Sequence, residues 1–235
     1  MTPFADALVD ALTLIVSFDP DLFEIIGLSL QVSLTALLVA CAIGLPLGAM
    51  LAVGRFPGRG AITVLISALM GLPPVVVGLV VYLVFSASGP LGPLQLLYTP
   101  TVMILAQAIL VTPIVAALTR QVVADLNAEY DETLRAMGAT APMTVATLIW
   151  DARYSLLTAA LAGLGRALAE VGAVMIVGGN INHHTRVMTT AIALETSRGA
   201  LSLALALGLI LIAMTVAING GLMAVRSAME RRAYA

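Results

Sequence analysis

Long apolar runs separated by short polar stretches set the pattern of this chain. No charged residue occurs from Ile25 to Gly54, from Gly60 to Thr119, or from Gly199 to Val225. A helix needs about 20 apolar residues to cross a hydrocarbon core about 30 Å thick. The first and third runs therefore hold one span each. The middle run holds two, broken at Ser86-Ala-Ser-Gly-Pro-Leu-Gly-Pro93. The runs are continuous rather than alternating, which predicts helices and not barrel strands. Five spans are predicted, at about 25–53, 61–86, 99–122, 154–178 and 200–224. The expected fold class is all-α, a polytopic membrane helical bundle formed by a single domain over residues 1–235.

Two kinds of interruption carry further information. Gly44, Pro46 and Gly48 fall in the first span, Gly71-Leu-Pro73-Pro74 in the second and Pro113 in the third. A proline removes a backbone donor and kinks a helix, and the freed carbonyls must be buried or face a water-filled path. Pro73 and Pro74 are thus candidates for a kink on a translocation path or gate, with ordinary bundle packing as the alternative. The second interruption is a polar island from Glu129 to Pro142 inside the segment 123–153. From Asp125 to Met137 the pattern predicts a short amphipathic helix with acids early, near the positive end of the helix dipole. Gly138 fits a left-handed cap, and Thr140 with Pro142 opens a second helix running to about Asp151. The segment Phe4–Phe18, within residues 1–22, is acidic and too interrupted to span. It is read as an interfacial amphipathic helix and not as a signal peptide.

Composition agrees with this pattern. The chain is 60% hydrophobic and 10% charged, with a mean hydropathy of +1.06, whereas soluble domains are about 25% charged. A net charge of −2 points to no nucleic-acid partner. The single cysteine, Cys41, lies in a span and supports no disulfide framework. Arg55, Arg59, Arg120, Arg135, Arg153, Arg226, Arg231 and Arg232 all fall on one side of a five-span chain. The positive-inside rule then places the N-terminus outside and the C-terminus in the cytoplasm.

Arg166 and Glu170 are the two charges within the fourth predicted span. Arg166 lies about 16 Å past Ser155 at about 1.5 Å per residue. An unpaired charge at that depth costs about 2.5–3.5 kcal/mol on insertion scales. Spaced i, i+4 on one helical face, the two are expected to neutralise each other, either as a structural brace or as a gate on an anion path. A pore should bind its ion weakly, so a high-affinity site is not expected. The outer loop carries Asn180, Asn182, His183, His184, Arg186, Glu195 and Arg198. Adjacent histidines point apart, and no carboxylate cluster stands near them in the sequence to complete a shell, so no metal site is expected.

The island also carries a resemblance. Glu132, Gly138 and Leu148 stand at the spacing of the coupling loop of binding-protein-dependent ABC import permeases, a family with the type I fold. That family's pattern is Glu-Ala-Ala, three residues, Gly, nine residues, Ile, one residue, Leu-Pro. This chain departs from it at Thr133-Leu134 and at Trp150-Asp151. Gly163-Leu-Gly-Arg166-Ala-Leu-Ala-Glu170-Val-Gly-Ala and Gly178-Gly-Asn180 resemble the oxyanion branch: sulfate, molybdate and tungstate permeases. Met70-Gly-Leu-Pro-Pro-Val-Val-Val-Gly-Leu, Ser88-Gly-Pro-Leu-Gly92 and Trp150-Asp-Ala-Arg-Tyr-Ser resemble the tungstate members, in which a Trp–acidic pair commonly replaces Leu-Pro.

The resemblance implies a permease subunit of an ATP-driven oxyanion importer in a prokaryotic plasma (inner) membrane. Tungstate is the first expectation and molybdate or sulfate the alternative. It implies a pore made with a second copy of the chain, and two cytoplasmic ATPase subunits gripping Glu132, Arg135, Ala136, Met137, Gly138 and Ala139. It also implies an extracytoplasmic anion-binding protein, for which Asn180 and Arg186 are candidate contacts. The chain has no Gly-x4-Gly-Lys-Ser/Thr loop. It is therefore expected to be a transport subunit without its own ATPase site and to bind no cofactor, with ATP and Mg on the partner subunits. An ion-coupled secondary carrier is the more distant reading, because no internal repeat is evident and Glu170 is the lone deep acid.

Overall fold

The computed structural model describes residues 9, 12, 13, 16, 17 and 19–233. Among these residues the chain forms nine α-helices and no strand. They are α1 (Pro20–Val53), α2 (Arg59–Leu69), α3 (Pro74–Phe85), α4 (Pro100–Ala136), α5 (Ala141–Asp151), α6 (Arg153–Leu168), α7 (Gly172–Gly178), α8 (Met188–Arg198) and α9 (Leu201–Ala233). A 3-10 turn, Gly92–Leu94, lies between α3 and α4. Helices α1, α4 and α9 are each long and apolar enough to cross a membrane. The pairs α2–α3 and α6–α7 pass only when each broken pair counts as one span, giving up to five.

Local chemistry explains where the observed elements differ from the expected ones. Helix α1 starts at Pro20 rather than near residue 25. Asp19 accepts hydrogen bonds from the backbone N–H groups of Asp21 (2.9 Å) and Leu22 (3.2 Å), and Pro20 takes the first helical position, where its missing donor costs nothing. Residues 20–22 thus belong to α1, and most of the predicted interfacial helix Phe4–Phe18 lies outside the described residues. The second expected span is split. Pro73 holds an extended conformation (φ −65°, ψ 123°) and Pro74 opens α3, because a residue before proline is pushed out of the helical region. The fourth expected span is split as well, since α6 ends at Leu168 and α7 begins at Gly172.

The opposite correction applies to α4. The expected third span and the expected first helix of the polar island are one continuous helix, Pro100–Ala136. No Gly or Pro stands between Gln121 and Met137, so a change from apolar to polar residues alters the helix's surroundings but does not end it. Pro46 and Pro113 are likewise carried inside α1 and α4. The expected outer loop holds a helix of its own, α8, closed by Gly199 in the left-handed region (φ 80°).

The chain divides into two compact units. The first comprises residues 1–35, 73–107 and 168–218. Leu22, Ile25, Met188, Ala191 and Leu207 form an apolar cluster in it. Ser29 Oγ accepts a 2.7 Å hydrogen bond from the Met188 N–H, fixing the start of α8 to α1. Helix α3 lies directly on α7, where a Cβ on Gly78 would stand 2.8 Å from the Ala173 Cα.

The second unit comprises residues 36–72, 108–167 and 219–235. Its helices α1 and α4 approach closely at small residues, as membrane helices commonly do. A Cβ on Gly48 would lie 2.3 Å from the Ala116 carbonyl oxygen and 2.8 Å from Thr119 Cβ. Ala49, Ala52, Val123 and Leu148 form one cluster beside this crossing. Ala40, Val111, Val115 and Ala167 form another.

Candidate functional site

The polar island becomes an elbow between α4 and α5. Gly138 adopts φ 72°, in the left-handed region that glycine enters without a Cβ penalty. The Ala139 N–H donates to the Leu134 carbonyl (2.9 Å) and the Gly138 N–H to the Arg135 carbonyl (2.9 Å). This double closure is a Schellman motif, which satisfies carbonyls that a helix end leaves open. Thr140 is extended (φ −78°, ψ 159°) at the start of α5 and makes no side-chain capping bond there. Its carbonyl accepts from the Thr144 N–H at 2.9 Å. Pro142 sits in the first turn of α5, as expected.

The elbow is tied down on one side and open on the other. Leu148 and Thr144 are the buried residues of α5. Leu148 packs with Val123 of α4 and with Ala49 and Ala52 of α1, and Leu134, Val145 and Ile149 lie against this cluster. Glu132, Arg135, Ala136, Met137 and Gly138 are exposed, with Ala139 half-buried. Met137 is 78% exposed and Met143 is 59% exposed. A small charge network braces the approach. Arg135 Nε donates to Asp131 Oδ1 (2.9 Å), and Arg55 Nη2 donates to Asp131 Oδ2 (3.1 Å). Exposed pairs of this kind are each worth about 0–1 kcal/mol, so their effect is on orientation more than on stability. Asp131 and Arg55 do not stand out in the sequence, because their partnership needs the α1–α2 linker folded beside α4.

Arg166 and Glu170 do not share one unbroken helix, which the i, i+4 spacing assumes. Arg166 stands in the last turn of α6, and Glu170 follows the helix end at Leu168. Glu170 is 3% exposed, and its Oε1 accepts a 2.9 Å hydrogen bond from the Ala173 N–H. Its carbonyl accepts from Thr189 Oγ1 at 2.7 Å. Glu170 therefore ties the entry to α7 and the start of α8 together. A side chain that takes a backbone donor in this way competes with the helix ladder, which accounts for the break between α6 and α7. Pro73 and Pro74 define the other break.

The 179–187 segment is held from within. Asn180 (φ 50°) is half-buried, and its Oδ1 accepts from Thr190 Oγ1 at 2.9 Å. Thr185 Oγ1 accepts from the Ile181 N–H at 3.0 Å and donates to the Gly178 carbonyl. Arg186 lies 3.9 Å from Glu195, which also meets Arg198 at 3.2 Å. Asn182, His183 and His184 are the exposed polar groups. The sequence shows no carboxylate near His183, but the fold brings two. The ligand-type atoms of His183, Asp21 and Glu24 lie within 4.8 Å of one another. His183 Nδ1 is 2.7 Å from Glu24 Oε2, and this hydrogen bond, aided by the carboxylate charge, raises the imidazole above its ordinary basicity. Arg186 lines the same hollow, and its positive charge opposes a cation there.

Known proteins place this arrangement in a family. Residues 44–233 match the binding-protein-dependent transport system inner membrane components. The chain is 42% identical over 219 residues to the tungstate uptake system permease protein TupB of Peptoclostridium acidaminophilum, covering 93% of this chain and 96% of that protein. It is 41% identical over 203 residues to a probable anion ABC transporter permease protein of Haloferax volcanii, covering 84% of this chain and 88% of that protein. The sulfate transport system permease protein CysW of Escherichia coli K12 is more distant, 29% identical over 71% of this chain and 60% of that protein. With an all-helical fold of up to five spans and an elbow at Gly138, the chain belongs to the binding-protein-dependent transport system inner membrane component family.

Proposed function

We propose that this chain is the membrane-spanning subunit of an ATP-driven tungstate importer. The observation that carries the reading is the 42% identity to a tungstate uptake permease across 93% of the chain, against 29% to a sulfate permease. In this reading two copies form the pore, and the exposed elbow at Glu132, Arg135, Ala136, Met137, Gly138 and Ala139 docks on a cytoplasmic ATPase subunit. ATP and Mg2+ belong to that subunit. Arginine-rich ends face the cytoplasm and the N-terminus faces outside, following the positive-inside rule. An anion-binding protein approaches the 179–187 segment, where Asn180 and Arg186 hold the backbone that presents Asn182, His183 and His184. The breaks at Pro73-Pro74 and at Arg166–Glu170 serve as hinge points of a gate. Interrupted helices of this kind are tolerated in membranes where they line a cavity.

Site-directed photo-cross-linking tests the docking. Cys41 is the sole cysteine, so a Cys41→Ala, Met137→Cys chain takes a benzophenone at one position. Irradiation of the assembled complex is expected to join this chain to the ATPase subunit. An adduct to lipid alone, or to the binding protein, would contradict the assigned elbow.

A further inference from the structure

The end of α5 carries a cluster that transport coupling does not absorb. Trp150 is 71% exposed, although indole is the side chain with most to gain from cover. The Arg153 guanidinium stacks 4.9 Å from the Trp150 ring centroid and 4.4 Å from that of Tyr154. It also donates through Nη1 to the Trp150 carbonyl (2.7 Å) and through Nη2 to Tyr154 Oη (3.2 Å). The first bond covers a carbonyl at the C-terminal end of α5, where a helix leaves such groups open. The two together hold the guanidinium plane in place.

This clamp leaves donors to spare. A guanidinium has five N–H groups, and two are used here. Arg153 makes no salt bridge among the described residues, and the Trp150 indole N–H has no hydrogen bond among them. The location is equally specific. Trp150 precedes Arg153, the first residue of α6, by three positions, or about 5 Å of chain at about 1.5 Å per residue. Subtracting a core of about 30 Å from a bilayer of about 40–45 Å leaves about 5–8 Å of polar interface in each leaflet. Trp and Tyr are enriched at that level, and Arg side chains near helix ends snorkel to it.

We propose that Trp150, Arg153 and Tyr154 form an interfacial clamp on the phosphate of a membrane lipid. The clamp fixes the end of α5 to the bilayer surface where α6 enters it. Asp151 offsets the charge of Arg153 in this stretch, so the phosphate is held by a fixed donor array rather than by net positive potential. The inference rests on the chain's place in a membrane-protein family and is independent of what the elbow docks on. Trp150 shares the exposed side of α5 with Met143, spaced i, i+7, so the ATPase subunit is the rival occupant.

Trp150 is the sole tryptophan, so fluorescence of the full chain in vesicles reads this position alone. In phosphatidylcholine vesicles without partner subunits, emission is expected to be blue-shifted from that of indole in water. Lipids brominated at shallow acyl positions should quench it more than lipids brominated deep. Adding anionic phosphatidylglycerol should change this little. Arg153→Ala should shift emission to the red and remove most of the shallow quenching, and Arg153→Lys should restore little because it cannot stack or fork. In phosphate-free galactolipid vesicles the difference between wild type and Arg153→Ala should vanish. Water-like emission quenched by aqueous iodide but not by bromolipids would overturn the proposal. So would a blue shift that appears only when ATPase subunits are added, which assigns Trp150 to the protein interface. An equal Arg153→Ala effect in galactolipid would overturn the phosphate contact.

Discussion

Gly138→Val is expected to lower coupled transport by about tenfold or more while leaving the chain folded in the membrane. Gly138 sits at φ 72°, and a Cβ there would meet no atom within 4 Å. The cost of a side chain is therefore conformational and not steric crowding from neighbours. An L-residue in the left-handed region costs about 1–2 kcal/mol, and a β-branched one is worse served still. Each 1.4 kcal/mol is tenfold in an equilibrium, so the population holding the Schellman geometry should fall by about tenfold or more. Binding-protein-stimulated ATP hydrolysis and anion uptake should fall with it. Asparagine tolerates the same backbone region, so Gly138→Asn should retain most of both activities. A valine variant as active as wild type would remove the elbow from the coupling account.

Gly48→Leu is expected to give the largest loss of folded protein of any single change in α1. A Cβ there would stand 2.3 Å from the Ala116 carbonyl oxygen and 3.0 Å from the Arg120 backbone nitrogen. Both are backbone atoms of α4, so no flexible side chain can yield. Overpacking a close contact costs about 1–3 kcal/mol and occasionally more. Separating α1 from α4 also unseats Ala49 and Ala52 from Val123 and Leu148, the cluster that anchors α5. Thermal unfolding in detergent should show a lower midpoint and a smaller folded fraction. A Cβ on Gly27, in the same helix, would meet nothing within 4 Å. Gly27→Ala should therefore leave the midpoint unchanged or raised, since alanine is the better helix former by about 0.5–1 kcal/mol. Equal midpoints for Gly48→Leu and wild type would show that the two helices do not need this approach.

Elements set by local chemistry are legible in the sequence, and elements set by distant partners are not. The apolar runs mark the long helices α1, α4 and α9, because length and hydropathy decide whether a helix can span. Gly138 and the extent of α5 to Asp151 are readable from cap residues and spacing alone. The continuity of α4 into the island is not, because a polarity change resembles an end although no residue there breaks a helix. The i, i+4 reading of Arg166 and Glu170 assumes an unbroken helix. The helix instead ends at Leu168, and the Glu170 carboxylate takes the Ala173 N–H, a break that spacing does not reveal. The meeting of His183 with Glu24 and of Arg55 with Asp131 spans 159 and 76 residues, beyond the reach of any local pattern. Among the candidate site residues, the elbow group stands together around Gly138, exposed except for half-buried Ala139. Asn180 meets Thr190 and Arg186 lies beside Glu195, partnerships within the outer segment that the sequence does not show.

The most direct test of the account is anion uptake by proteoliposomes containing this chain, its ATPase subunit and its binding protein. Tungstate is expected to accumulate only when ATP is on the ATPase side and the binding protein is on the other. Molybdate is expected to compete less well than tungstate, and sulfate less well still. Accumulation driven by an ion gradient without ATP, or uptake that prefers sulfate, would contradict it.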